Sequence, residues 1–441
     1  MSFRAVSGYS ARGRREASRF MTLMTNLRAR ALDRQGLEQL ADWLAVGVAV
    51  SLPWSTSATG ILTVLWLLAV LPTLDVAAVR RELVSAAGGL PVLFCALAAL
   101  GMLWADVSWH ERLGGFNSFH RFLAVPLLLA QFRRSEHGFR VLFGFFLSVS
   151  AVLFCSWTLV PFPWLPWHTN FPGVPAKDYI LQSTDFLMCA FVLFALAFDD
   201  GRAGRWSSVA WLIALAALFL ANIAFVVSGR TTLLVAPVLV LLLGWREFGW
   251  KGALGAALLF GIVGTAAAVG SPYLHERLEK SVQEFRAWES NEEENSTSEH
   301  LEFMKKAVSF VRTAPIIGHG TGSIGEQYRN AIAGKTGVEA HFSENPHNQI
   351  LNVAVQLSLV GTVVMMAMWI AHFMLFRGSG LTAWIGIVIV AQNVVSSLVN
   401  SHLFDFTQSW IYVFGVGVTG GMALREREQR AGRHEADQVT A

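Results

Sequence analysis

Charge is what this chain has least of. Asp, Glu, Lys and Arg make up only 15% of its 441 residues, against about 25% in a soluble domain, so an ordinary water-facing surface is excluded. Cysteine is nearly absent: Cys95, Cys155 and Cys189 all stand in apolar runs, with no Cys-x-x-Cys pair and no Cys/His cluster. That leaves no basis for a disulfide framework or a structural zinc site. The N-terminus lacks a short apolar region followed by a small-residue cleavage site, so no cleavable signal is expected. No internal repeat is evident, and a net charge of +3 gives no reason to expect a nucleic-acid partner.

What remains is apolar and aromatic. Hydrophobic residues make up 54% of the chain, mean hydropathy is +0.46, and there are 16 Trp and 31 Phe. A membrane-crossing helix needs about 20 mostly apolar residues. Twelve candidate segments follow: 38–54, 56–74, 88–104, 117–132, 138–159, 179–198, 207–226, 230–246, 251–270, 348–376, 381–400 and 406–424. The expected fold class is an all-α polytopic membrane protein.

With the N-terminus inside and strict alternation, 22 of the 34 cationic residues fall on the inner side. That asymmetry is the one expected of cytoplasmic loops. The expected organisation is a basic cytoplasmic N-terminus (1–37), nine spans (38–270), a long outer loop (271–347), three spans (348–424) and a cytoplasmic tail (425–441). Residues 15–40 read as a basic amphipathic helix lying on lipid, with Phe20, Met21, Met24, Leu27 and Leu32 on one side.

The outer loop is the one long hydrophilic stretch between apolar segments. Residues 273–290 suit a helix, 289–299 an acidic connection, and 299–313 a second, amphipathic helix ended by Pro315. Gly318-His319-Gly320-Thr321-Gly322-Ser323 must then be a tight turn. Such a turn can bind phosphate through its N–H groups or can be purely structural. With no preceding strand and no Lys-Ser/Thr ending, it does not match a nucleotide-binding loop.

The loop ends on Pro346-His347-Asn348. His347 is placed to take a proton near neutral pH, or to hold a helix-terminal carbonyl. The predicted topology brings His110, Arg112, His120, Arg121, Arg230, His402 and Asp405 to the same outer side. Arginines at the edge of apolar runs read either as anion-binding groups or as side chains reaching for lipid headgroups. An arginine fork suits a diphosphate. No outward pair of carboxylates offers a good Mg²⁺ site; His402 with Asp405 comes nearest.

Three pieces together resemble the O-antigen ligase and polymerase superfamily of bacterial inner-membrane proteins. They are Ser228-Gly229-Arg230, the run Pro315-Ile316-Ile317-Gly318-His319-Gly320-Thr321-Gly322-Ser323, and His347-Asn348 followed by Leu351 and Gly361. The resemblance implies a GT-C-like, metal-independent glycosyltransferase without a cofactor. Its donor would be an undecaprenyl-diphosphate-linked O-antigen, and it would work at the periplasmic face of the inner membrane.

The resemblance also makes His347 the catalytic base and Arg230 a diphosphate ligand. Arg121 joins from its position, Arg112 as a further candidate, and Asn348, His319, His300, His402 and Asp405 as supporting groups. Two departures stand out. Gln356 and Ser358 replace a Glu and a Gly, and His300 replaces an Arg, so Arg286 or Arg312 is expected to stand in.

The long loop favours a ligase, which joins the glycan to a sugar hydroxyl of lipid A-core with inversion. A polymerase using the same donor is the near alternative. A lipid-linked glycan transporter or flippase is the distant one, since it would need deep charges and Asp185 is among the few.

Overall fold

The computed structural model describes residues 33–167, 169–290 and 296–440. Most of the expected surface helix over 15–40, and the acidic run at 292–294, lie outside the described residues. Among the described residues every regular element is helical. The order is α1 (Arg34–Ser51), α2 (Thr56–Val70), α3 (Val76–Val84), α4 (Ala86–Gly101), α5 (Trp109–Phe116), α6 (Ala124–Arg134), α7 (Gly138–Leu159), α8 (Tyr179–Arg202), α9 (Trp206–Phe225) and α10 (Arg230–Gly270). Then follow α11 (Pro272–Ser290), α12 (Ser296–Thr313), α13 (Ile324–Ile332), α14 (Gln349–Leu375), α15 (Leu381–Ser396) and α16 (Phe406–Thr440).

Each of the twelve apolar stretches falls on these helices. Among the described residues six helices are long and apolar enough to cross a membrane alone, and α3 with α4, bent by 84°, would make a seventh. The chain is an all-helical, polytopic membrane protein.

Two expected spans share α10, yet the chain reverses inside it. Gly249 has φ 66° and ψ −153°, a combination open to glycine alone. A Cβ on Gly244 would stand 2.5 Å from the carbonyl oxygen of Gly252, although eight residues of straight helix cover about 12 Å. Segments 230–248 and 250–270 are therefore two arms of a hairpin.

The span expected over 117–132 is shorter than drawn. Residues 120–123 form a 3₁₀ turn, and α6 has 11 residues, about 16 Å against a hydrocarbon core of about 30 Å. Pro126 stands in its first turn, where a missing N–H breaks no intrahelical bond. α6 lies closely along α16, where a Cβ on Gly421 would meet the Arg133 nitrogen at 2.9 Å; small residues permit such backbone approach. At the end of this pair Arg133 bonds Glu82 at 2.8 Å and pairs with Glu428, and Arg81 comes within 3.7 Å of Glu428. Cations that the sequence assigned to one side thus meet at one end of the bundle. α16 itself continues through the tail expected from 425 onward.

α14 is broken at Ser358, with φ 43° and ψ −134°. The break frees carbonyls of Val355 and Gln356, which accept bonds from the N–H groups of His319 and Gly320, each at 2.9 Å. Ser358 Oγ donates to the Ala314 carbonyl. The glycine turn is therefore the partner of an interrupted helix, which satisfies backbone groups that lipid could not. Thr321 ties the same turn to α4 through the carbonyls of Gly101 (3.1 Å) and Ala98 (2.7 Å).

Gly320, at φ 90°, has no room for a Cβ, which would sit 2.5 Å from Ala105 Cα. Gly320→Ala is expected to cost ~2 kcal/mol or more and to lower the unfolding temperature of detergent-solubilised protein. Gly264→Ala, facing open space in α10, is the matched control and should not. Outside the main core, Phe303, Phe310, Tyr328 and Val355 form a small separate core that seats α12 and α13 on α14, with Tyr328 Oη donating to the Phe303 carbonyl at 2.6 Å.

Candidate active site

His347 is held by its neighbours in sequence. Its φ of 52° is uncommon for a residue with a Cβ. The conformation is secured by its N–H donating to Asn345 Oδ1 at 2.9 Å. Asn345 Oδ1 also accepts from Ser401 Oγ at 2.7 Å, which ties the loop end to the connection before α16. Asn348 caps α14, accepting from the Leu351 N–H at 3.0 Å, and donates from Nδ2 to the Leu398 carbonyl at 2.8 Å. The supporting role expected of Asn348 thus has a physical form: it fixes the helix start beside the histidine.

The imidazole of His347 stacks on that of His300, with centroids 3.8 Å apart and planes within 9°; Phe303 lies beyond at 6.0 Å. His300 and Phe303 are one turn apart on α12. Nδ1 of His347 is buried and has no partner. Burial holds His347 below the ordinary imidazole pKa, against the opposing influence of Asn400 and Glu299. Burial, with the charges of His347 and Arg230, pushes His300 down to about 4. Both rings are therefore neutral at neutral pH.

His347 lines a pocket of about 660 Å³ whose other walls include Glu344, Asn352, Gln356, His402, Asp405 and Gln408. Arg230, at the start of α10, is on the His300 side. Its Nη1 donates to Thr297 Oγ1 at 3.0 Å, and its Nη2 pairs with Glu284 of α11. Arg277, which the sequence reading passed over, lies seven residues before Glu284, on the same helix face, with its guanidinium 5.6 Å from the Tyr179 ring. Its signal was a cation at helical spacing from an acid within a loop helix.

The remaining expected groups are distributed differently. Arg121 is only 5% exposed and does not line the pocket. Its guanidinium donates to the Asp405 carbonyl at 2.9 Å and lies 5.0 Å from the Phe406 ring, so it braces the start of α16. Arg112 donates to the carbonyls of Val107 (2.9 Å) and Met102 (2.8 Å), holding the α4–α5 connection. Backbone carbonyls thus engage Nη1 of Arg121 and Nε and Nη1 of Arg112, and neither residue lines the pocket.

His319 Nε2 lies 2.9 Å from the Phe310 carbonyl and 3.0 Å from Thr313 Oγ1, closing the end of α12 away from the pocket. Arg286 and Arg312 are exposed, on α11 and in the last turn of α12.

His402 and Asp405 both line the pocket but are engaged separately. His402 Nδ1 meets Ser396 Oγ at 2.7 Å, and Asp405 Oδ1 caps α16 through the N–H groups of Thr407 and Gln408, each at 3.0 Å. Gln356, standing where a Glu was expected by resemblance, accepts from the Gly322 N–H at 2.9 Å and donates to Asn352 Oδ1 at 3.0 Å. It joins the glycine turn to the pocket floor without a charge. Among the described residues, no group of three or more His, Cys, Asp or Glu side chains converges for a metal ion. Asp185 is buried in α8 beside a cavity of only about 10 Å³, far too small for a lipid-linked glycan.

A family model described as O-Antigen ligase matches residues 215–366, from α9 through most of α14. The match includes Arg230, the α11–α13 loop helices, His300 and His347. No curated protein matches the chain. The matched segment, which carries this histidine and this arginine, is similar to the O-antigen ligase family.

Proposed function

We propose that this protein is an O-antigen ligase, transferring a glycan from undecaprenyl diphosphate to a sugar hydroxyl of lipid A-core at the outer face of the inner membrane. The observation that carries the reading is the position of His347. It is a neutral imidazole that lines an open pocket, with its buried Nδ1 left without a partner, and His300 links it to the Arg230 side.

In this reaction the acceptor hydroxyl gives its proton to His347 as its oxygen bonds to the anomeric carbon of the donor. The bond from that carbon to the diphosphate oxygen breaks, and undecaprenyl diphosphate leaves with the electron pair. Attack opposite the leaving group inverts the anomeric centre. Arg230, with Arg277 nearby on α11, supplies positive charge where negative charge develops on the diphosphate. Arg121 and Arg112 take structural roles.

A base must be unprotonated to act. Because the His347 pKa lies below its ordinary value, activity should persist as pH falls through about 6.5 and be lost only at lower pH. A pH–rate profile with its acidic limb at or above pH 7 would remove His347 as the titrating base.

The test of function is a lipopolysaccharide gel from cells lacking the protein. Bare core, with the glycan retained on its lipid carrier, is the expected result. Core capped by a single repeat would instead identify a polymerase, and an unchanged ladder would leave a transporter as the remaining reading.

A further inference from the structure

The two sides of His347 differ in charge. Arg230, paired with Glu284, stands on the His300 side, whereas the pocket wall carries four carboxylates, Glu111, Asp178, Glu344 and Asp405, and one guanidinium, Arg329. That guanidinium already pairs with Glu111 and with Glu326. Hydrogen bonds from Ser108, then from Arg329, hold the Glu111 carboxyl below the usual carboxylate range, so it stays ionised.

The start of α13 lines this pocket, with Glu326 in its first turn; those of α8 and α16 also point here, and a helix N-terminus favours anions. Each is worth roughly half a charge, however, and the latter two each already carry an aspartate: Asp178 accepts from the N–H groups of Ile180 and Leu181 at 2.9 Å, as Asp405 does on α16. An added phosphate would face full negative charges with no unpaired strong cation on the pocket wall.

A second observation is independent of charge. Gln408 lines the pocket and is only 4% exposed, yet neither its Nε2 nor its Oε1 has a partner. A buried carboxamide left unpaired in both directions is costly. The group that satisfies it must both donate and accept. A sugar hydroxyl does so; a diphosphate oxygen only accepts.

We propose that this pocket is the acceptor subsite of the transfer, and that it takes an uncharged, hydroxyl-rich sugar ring bearing no phosphate or carboxylate toward Glu344, Asp178 and Asp405. Gln408 reads hydroxyls, the carboxylates accept from others, and a volume of about 660 Å³ suits a small saccharide. The proposal rests on the transferase reading for the word acceptor, but not for the chemistry of the ligand.

The test uses the full-length protein in lipid nanodiscs and two soluble probes: a core oligosaccharide stripped of phosphate, and the same oligosaccharide phosphorylated. Binding is followed by tryptophan fluorescence. The neutral probe should bind the wild type about tenfold more tightly than the phosphorylated one. Gln408→Leu should weaken the neutral probe about tenfold. Glu344→Gln, at an exposed lip position that does not threaten folding, should narrow the preference for the neutral form.

Equal or tighter binding of the phosphorylated probe, no saturable binding of either, or an unchanged preference in Glu344→Gln would overturn the assignment. Failure of the transferase reading looks different: the oligosaccharide preferences stand, while the same nanodiscs form no glycosidic bond from lipid-linked donor.

Discussion

His347→Ala is expected to lower the rate of glycan transfer by ~10²–10⁴-fold, the usual worth of a positioned general base, or about 3–5 kcal/mol of barrier. The loss should fall on kcat with both substrates saturating, because the imidazole acts on the proton moved in the reaction rather than on either ligand's resting contacts. Folding should be little affected. The Asn345 contact that secures the turn is made by the backbone N–H of residue 347, which alanine retains, and the ring's Nδ1 has no bond to lose. Single-turnover transfer by purified protein, with thermal unfolding alongside, measures both. A rate within a few-fold of wild type would show that another group takes the proton.

Arg230→Ala should be nearly as severe, by ~10²–10³-fold in kcat/KM for the donor. Arg230→Lys should recover only part of this, since an ammonium cannot make the two-point contact of a guanidinium. One complication comes from the ligand-free pairing. Glu284 is mostly buried against Arg230, and removing only the arginine takes an ion-pair partner from a buried carboxylate, which destabilises by itself. The double variant Arg230→Ala/Glu284→Gln separates the two effects: it should regain stability and remain inactive. Glu284→Gln alone should lower the donor KM, because the carboxylate competes with the diphosphate for the same guanidinium. Recovery of activity in the double variant would mean that Arg230 serves the fold and not the donor.

The arginines show where sequence reasoning reached its limit. Arg230 was a diphosphate candidate by its motif, Arg121 by its place at the edge of an apolar run, and Arg112 as a further candidate on the same side. In the structure two of them are engaged by backbone carbonyls of neighbouring connections, and only Arg230 stands beside the histidine pair. Hydropathy reports which end of a helix a residue occupies, but not which way its side chain turns or what lies across the gap. His300 was read as a lost diphosphate contact; what it does is stack on His347. Those residues are 47 positions apart, and no local pattern encodes their contact.

By itself the sequence determined the class of the protein and singled out a candidate histidine at the end of its long polar loop. Low charge and twelve apolar stretches require helices whose backbones satisfy themselves in lipid. A histidine–asparagine pair at the end of the one long polar loop marked the start of α14, because an asparagine there can cap a helix. The tertiary structure alone decided the rest. It paired the glycine turn with the break at Ser358, reversed the chain at Gly249 and separated the Arg230–Glu284 side of His347 from the acidic pocket. Each of those depends on groups distant in sequence meeting at specific distances, and their energies come from burial and pairing that exist only once the helices have packed.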